Sequence, residues 1–317
     1  MNLSIIIPNY NGEKILQKSL PKILQAAQNY KNGKVEIIIS DDPSTDNSAQ
    51  IIRNFISNIT DTNITGKTIS NKNKKEAGFS KNVNRGVSLT TGDIIILLNS
   101  DVLPHSDFLF ALLSHFEDPK IFAVGCMDES IEEGKKVLRG RGIGRWEKGF
   151  LMHSKGSIDK NNTLWVSGGS GAFRKSIWEK LRGLDPLYNP FYWEDIDLSY
   201  RALKSGYKIC FESKSVVVHE HEKGAIRSKF KPLHIQKIAY RNQFIFVWKN
   251  ITDMKFRFLH IFWLPYHFIT ALRRRDWSFF IGFFQAFSQL SRIRHAREQA
   301  LKLFVKTDKQ VLSDYRE

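Results

Sequence analysis

The 317-residue sequence contains two cysteines, Cys126 and Cys210. They lie far apart in apolar surroundings (Phe-Ala-Val-Gly-Cys and Tyr-Lys-Ile-Cys-Phe), with neither a Cys-x-x-Cys spacing nor a Cys/His pattern. This excludes a disulfide framework and a zinc site as organising features, and two buried, reduced thiols are expected. Long hydrophobic runs are also missing. The first, Leu3 to Ile7, follows no basic segment and is stopped by Pro8, which argues against a secretory signal and for a cytoplasmic chain. A later one, Trp277 to Leu290, covers about 14 residues, short of the ~20 that a bilayer-spanning helix needs. Internal repeats and low-complexity tracts are absent. Acidic residues are scarce in one region only. Residues 222–317 hold 19 Lys/Arg against 7 Asp/Glu, an excess of 12, whereas residues 1–221 hold 29 against 25, an excess of 4. Such a basic region asks for an anionic partner, nucleic acid or lipid headgroups.

What is present is alternation. Short β-branched runs (Leu3 to Ile7, Val35 to Ile39, Lys67 to Ile69, Ile94 to Leu98, Ile121 to Gly125) are separated by stretches of helical period (Glu13 to Ala27, Thr45 to Ser57, Phe79 to Ser88, Ser106 to Phe116). That order predicts βαβ units and an α/β, Rossmann-like, mostly parallel sheet. Near-continuous apolar strands such as Ile-Ile-Ile-Leu-Leu are buried on both faces, so helices are expected on both sides. Residues 128–162, rich in Gly, Lys and Arg, read as loops and a hairpin over the site. A short helix is expected around Lys175 to Leu181.

Ligands of open α/β sheets sit beyond the carboxyl ends of the strands. Here those ends read Pro8-Asn9-Tyr10-Asn11-Gly12, Ser40-Asp41-Asp42-Pro43-Ser44-Thr45-Asp46 and Asn99-Ser100-Asp101. A carboxylate at Asp41 can accept the imide N–H of uracil or thymine, with Tyr10 offering its ring to the base. Asp46 reads as a helix cap. Asp101 could hold magnesium or manganese against a diphosphate, because hard cations take oxygen ligands and keep few protein contacts when phosphates supply the rest. Further on, Phe191-Tyr-Trp-Glu-Asp-Ile-Asp-Leu-Ser-Tyr-Arg starts a helix. Its first-turn acids are favoured by the helix dipole, and Asp197 is spaced to pair with Arg201. Three aromatics ahead of Glu194 and Asp195 suit a wall against a pyranose ring.

Together, Ile-Ile-Ile-Pro-Asn-Tyr-Asn, Ser-Asp-Asp-Pro-Ser-Thr-Asp, Gly78-Phe79 with Asn84-Arg85-Gly86, Thr91-Gly92-Asp93, Leu-Leu-Asn-Ser-Asp and Tyr-Trp-Glu-Asp-Ile-Asp-Leu resemble glycosyltransferase family 2 in order and spacing over about residues 3–222. The likeness extends to its rhamnosyltransferase-like and cell-surface polysaccharide members. It implies a GT-A fold and inverting transfer from a nucleoside-diphosphate sugar. Pro8, Tyr10 and Asp41 would contact the nucleoside, Asn84 would line its pocket, and Ser100 would lie against the donor. Gly168 and Gly169 would let backbone approach the donor sugar. Asp101 would match the last position of the family's Asp-x-Asp motif and, with His219, would hold Mg2+ or Mn2+. In the Glu194-Asp195 pair, Asp195 would be the general base. Asn99 in place of the first Asp and Pro43 in place of a frequent Gly depart from the pattern. UDP- or dTDP-sugars suit the Asp41 argument, although guanosine donors occur in the same family. A sugar-phosphate nucleotidyltransferase would need a Gly-rich basic loop after the first strand, which is absent. A catalytically inactive nucleotide-sugar-binding subunit is the remaining alternative.

The expected organisation is a catalytic domain over residues 1–222, with a nucleotide half to about 101 and an acceptor half from 102, followed by a helical basic and aromatic appendage over 223–317. In that appendage Arg257, His260, Pro265 and His267 interrupt the apolar runs, which suits in-plane amphipathic helices at a membrane better than spanning ones. Nothing in it resembles a helix-turn-helix, zinc finger or RNA-binding aromatic motif, so nucleic acid is not expected. The expected partners are the donor, a glycan or lipid-linked acceptor, and the inner face of the cell membrane.

Overall fold

The computed structural model describes residues 1–132, 135–219 and 230–315. The Ile/Val-rich segments form parallel strands β1 (Leu3–Asn9), β2 (Val35–Asp41), β3 (Ile64–Ser70) and β4 (Ile94–Leu98), ordered β3-β2-β1-β4. Side chains alternate across a strand, and β4 uses both directions. Ile94, Ile96 and Leu98 join Leu20 and Ile23 of helix α1 (Glu13–Asn29) in one core. Ile95 and Leu97 join Val83 and Val87 of α3 (Phe79–Val87) in the other. The double helical cover expected from the apolar strands is therefore present.

The second half of the sheet is mixed. Strand β10 (Ser170–Arg174) inserts antiparallel between β4 and β6 (Ile121–Glu132); β11 (Lys208–His219) then pairs parallel with β6, and β5 (Val102–Pro104) closes the edge antiparallel. Sequence did not announce β10, because Gly-Gly-Ser-Gly reads as a loop. Gly171 is needed there for packing: a Cβ would come within 2.5 Å of the Val166 side chain. The 128–162 stretch is two hairpins, β6 with β7 (Lys135–Arg139), and β8 (Gly142–Glu147) with β9 (Phe150–Lys155). Helix α2 (Ser48–Ser57) begins later than its expected start at Thr45. Asp46 explains this, accepting from the N–H groups of both Ser48 (3.0 Å) and Glu13 (2.9 Å) and so organising the starts of two helices.

After α4 (Phe108–Ser114), α5 (Lys175–Lys180) and α6 (Glu194–Lys204), the chain continues as α7 (Pro232–Asn250), α8 (Met254–Arg273), α9 (Trp277–Phe287), α10 (Leu290–Leu301) and α11 (Asp308–Ser313). The expected boundary at 222 lies outside the described residues. Helix α7 is the part of the C-terminal helical appendage that packs on the sheet: Phe244, Ile245 and Phe246 are buried in the core that holds Ile6 and Leu97. Its carboxyl end is closed by Arg297 of α10, which donates to the carbonyls of Trp248, Lys249 and Ile251 at 2.8–3.2 Å. His260 of α8 accepts from the Trp248 indole N–H (3.0 Å) and donates to the Gly149 carbonyl (2.8 Å), pinning the β8–β9 turn. Burial pushes its pKa down to about 4, which suits a neutral ring with one fixed tautomer. Among the described residues no helix is long and apolar enough to cross a membrane.

Candidate active site

The strand ends converge as the topology requires. Strands β1 and β2 finish in register at Asn9 and Asp41. Asp41 is buried, and its Oδ1 accepts from the Asn9 amide (2.7 Å) and the Ser44 hydroxyl (2.7 Å). Burial raises its pKa, against the pull of those two hydrogen bonds. Asp42 serves a different end: it accepts from Gly78 N–H (2.8 Å), Arg85 (3.1 Å) and Asn71 (3.2 Å), tying the 71–78 loop and α3 to the sheet. Pro8 is buried opposite Ser40, and Tyr10 is half-buried just past the strand. Asn84 is not brought to this cluster. Its amide donates to the Leu184 carbonyl (2.7 Å) and accepts from the Leu184 N–H (3.1 Å), so both ends hold a distant turn. Asn82, two residues earlier, faces the strand ends instead, bonding Ser40 (2.6 Å) and the Asn9 carbonyl (3.1 Å).

Past β4, the chain turns through Asn99, half-buried Ser100 and Asp101. The Asn99 N–H donates to the Gly169 carbonyl (2.9 Å), and a Cβ at Gly169 would fall 2.7 Å from the Asn99 amide nitrogen. This close approach is what the second glycine of the pair provides. The Asn99 Oδ1 is buried without a hydrogen-bond partner. Asp101 Oδ1 lies 3.2 Å from Nε2 of His219, at the end of β11, and Asp128 Oδ2 lies 3.2 Å from Nδ1. Burial opposes charge on the imidazole, but the hydrogen bonds from both carboxylates outweigh it and raise the pKa to about 9. Asp101 and His219, 118 positions apart in sequence, are thus neighbours. Asp128 was missed because it sits in a segment read as loops, where a lone Asp gives no signal. Among the described residues no three His, Cys, Asp or Glu side chains form a ready metal cage. The donors nonetheless fit a hard cation that is completed by phosphate oxygens: the Asp101 carboxylate, the unpartnered Asn99 amide oxygen, and the His219 imidazole once a bound cation displaces its proton.

The third part is the start of α6. Tyr192 (φ 70°) and Trp193 (φ 75°) are consecutive left-handed residues, an arrangement that costs on the order of 1–3 kcal/mol each. Asn242 of α7 stabilises it. Its fully buried amide donates to the carbonyls of Tyr188 (3.1 Å), Phe191 (2.9 Å) and Tyr192 (2.8 Å). Nothing in the sequence around Asn242 signals that role. Tyr192 is left exposed, while Trp193 is buried against His153, ring centroids 5.0 Å apart. Asp195 Oδ1 accepts from the Ile196 N–H (2.8 Å) and Oδ2 from the Gly168 N–H (3.4 Å). The 168–169 segment therefore joins the Asp195 end of the site to Asn99 and Asp101.

Burial raises the pKa of Asp195 and, with added repulsion from Asp195, pushes Glu194 up to about 8. Glu194 Oε2 is buried without a partner, as suits a neutral acid. A carboxyl whose folded pKa lies above its unfolded value of about 4.3 loses stability as pH rises between the two values. Glu194→Gln removes that dependence. Its melting temperature relative to wild type should climb from about pH 5 to pH 8, by roughly 2–4 °C for each kcal/mol released. A flat difference in a pH series of thermal melts would show Glu194 to be ionised in the fold.

Residues 4–182 match the family profile described as Glycosyl transferase family 2. The O-antigen chain rhamnosyltransferase RfbN of Salmonella typhimurium is 26% identical over 225 residues, 70% of this chain and 67% of that protein. A dolichyl N-acetyl-alpha-D-glucosaminyl phosphate glucuronosyltransferase of Methanococcus voltae, its sugar 2,3-diacetamido-2,3-dideoxy-substituted, is 30% identical over 41% of this chain and 40% of its own length. Among solved structures, S. aureus TarS 1-349 with UDP-GlcNAc superposes over 100% of this chain and 92% of its own (TM-score 0.60, 15% identity). The mannosyltransferase PcManGT of Pyrobaculum calidifontis with GDP-Man and Mn2+ superposes over 99% and 84% (TM-score 0.55, 15% identity). With the profile covering more than half of its length, and acids and imidazole gathered at the carboxyl edge of its sheet, the chain belongs to glycosyl transferase family 2 and is a glycosyltransferase.

Proposed function

We propose that the protein transfers a sugar, with inversion, from a UDP- or dTDP-sugar to a glycan or lipid-linked acceptor hydroxyl in cell-surface polysaccharide or glycolipid synthesis, working at the inner face of the cell membrane. The observation that carries this reading is the contact chain Asp195–Gly168–Gly169–Asn99, which sets a half-buried carboxylate beside the turn bearing Asp101. In this reading residues up to about 222 supply the catalytic domain, α7 packs into its core, and the exposed faces of the later helices meet the membrane. Asp41 accepts the imide N–H of the base through Oδ2, on which neither of its two structural bonds falls. Pro8 and Tyr10 bound the base, and Ser100, Gly168 and Gly169 lie along the donor. Asp195 takes the proton of the acceptor hydroxyl as that oxygen attacks the anomeric carbon. Glu194 beside it stays protonated at neutral pH and leaves Asp195 as the charged member of the pair. Asp101 and His219 would hold Mg2+ or Mn2+, which supplies charge neutralisation to the departing diphosphate. RfbN and TarS support the reading through what their names and bound ligand say of them, a rhamnosyl donor and UDP-GlcNAc.

Thermal shifts with uridine, thymidine, guanosine and cytidine diphosphates, with and without manganese, test the donor site. Uridine or thymidine diphosphate should raise the melting temperature in a manganese-dependent way, since a ligand at a hundred times its Kd stabilises by about 2.7 kcal/mol. Asp101→Ala should abolish the manganese dependence. No shift with any nucleotide would refute the donor site, and a shift without turnover on any acceptor would leave a binding subunit.

A further inference from the structure

The outer faces of α8 and α9 are apolar where a free-standing surface would be polar. On α8, Met254, Phe258, Ile261, Phe262, Ile269 and Leu272 are 52–71% exposed. At about 100° per residue these positions fall on one stripe along a helix roughly 30 Å long. Trp277, Phe284 and Phe287 of α9 add exposures of 56–62%. Folding does not need this stripe, because the inner faces are already engaged. His260 and Ala271 of α8 are buried, and Gly282 of α9 packs so closely on α7 that a Cβ would lie 2.7 Å from that of Tyr240. An exposed apolar face of this extent marks an interaction surface.

The charges around it select the occupant. Between residues 254 and 287 the ionised side chains are Lys255, Arg257, Arg273, Arg274, Arg275 and Asp276. Asp276 is occupied, accepting from the Tyr240 hydroxyl at 2.7 Å. The five cations are exposed; by helical position Arg257 flanks one side of the stripe and Lys255 and Arg273 the other. A second copy laid on this face by a twofold axis would set cations against cations, Arg273–Arg275 against either themselves or Lys255 and Arg257. An anionic surface meets both features at once.

We infer that the outward face of α8 and α9 seats in the headgroup region of an anionic lipid bilayer, with the helices parallel to the membrane plane and the Arg273–Arg275 turn on the phosphates. The geometry is that of an interfacial amphipathic element, apolar side chains down and basic residues at headgroup level. No described helix is suited to crossing. The inference rests on the membrane reading given above and adds which surface makes the contact.

The test is co-sedimentation of the full chain with vesicles of phosphatidylcholine alone or mixed in equal parts with phosphatidylglycerol. It compares wild type with Phe258→Glu/Phe262→Glu and with Arg273→Glu/Arg274→Glu. Both variants change exposed side chains, so melting temperature and nucleotide-induced shift should match wild type. Wild type should bind the anionic vesicles, less so at high salt, and each variant should lose at least about tenfold in partitioning. Undiminished binding by both variants would overturn this face while leaving the membrane reading standing. No binding of wild type to either vesicle, with the nucleotide shift intact, would overturn both and leave the donor site untouched. A concentration-dependent dimer in sedimentation velocity, abolished by Phe258→Glu/Phe262→Glu, would make the stripe a self-interface and overturn the lipid assignment.

Discussion

Asp195→Asn is expected to lower turnover by about a hundred- to ten-thousandfold, the range over which a positioned general base acts, while leaving the fold intact. The substitution keeps the shape of a side chain bounded by two backbone donors, Ile196 N–H at 2.8 Å and Gly168 N–H at 3.4 Å. Only the longer of these bonds faces an amide nitrogen in the variant, so the melting temperature should move by no more than the equivalent of about 1 kcal/mol. Measured as nucleoside diphosphate release from the donor named by the thermal-shift series, kcat should carry the loss and KM for the donor should change little. In wild type the rate should rise with pH along an acid limb displaced above the ordinary carboxylate range, because burial raises the Asp195 pKa and only the ionised form accepts a proton. Full activity in Asp195→Asn would remove the base from this residue. Glu194 is a poor substitute at neutral pH, because burial, the largest cause of its raised pKa, persists in the variant after the Asp195 charge is gone.

The first half of the fold was legible because local pattern and final environment agree there. Ile94 to Leu98 is apolar at every position, and every position is buried, alternate residues entering opposite cores. Strand β10 was illegible because its glycines are chosen for close approach to Val166 and not for strand propensity. The site divides in the same way. Asp41, Asp101 and Asp195 stand at ends of elements whose periodicity is plain, so their position could be read without contacts. His219 could be linked to Asp101 only through family resemblance, and the structure sets them 3.2 Å apart. Asn84 misled because the motif does not say which helix face meets the sheet; it faces Leu184, and Asn82 faces the strand ends. Asn242 and Asp128 carry no local signal at all, since their roles exist only once segments 50 and 91 positions away are in place. By composition the tail reads as a helical basic and aromatic appendage. Composition reports the exposed aromatics of α8 and α9 correctly, but it hides α7, whose Lys249, Asn250 and Asn242 are polar, fully buried and bonded to the catalytic half.

That buried polar junction sets the second large effect. Asp197, two residues after the proposed base, has no solvent exposure and receives Arg201 (2.8 Å), Lys249 on both oxygens (2.9 Å each), the Asn250 amide (2.7 Å) and the Tyr188 hydroxyl (2.9 Å). Burial alone would raise its pKa; the charges of Arg201 and Lys249 outweigh it and hold the carboxyl well below the usual range. Its contribution is therefore fully present at neutral pH and fades only in acid, as pH falls below the unfolded value and through the folded one. Asp197→Ala leaves two cations in the interior with Asp185, at 2.6 Å from Lys249, as the remaining acidic partner of the lysine. Breaking such a pair costs about 3–5 kcal/mol, a fall of roughly 6–20 °C in melting temperature for a chain of this size. Adding Lys249→Met should recover part of that loss, because the penalty comes from an uncompensated charge and not from the missing carboxylate itself. The contrast with Asp195→Asn is the useful result. Lys249, Asn250 and Asn242 lie on one helix, so loosening the first two at Asp197 also loosens the clamp on Tyr192 and Trp193. Asp197→Ala should lose stability first and activity with it, whereas Asp195→Asn should lose activity alone. Equal melting temperatures for the two variants would mean that α7 is anchored by its apolar face and that the polar junction contributes little.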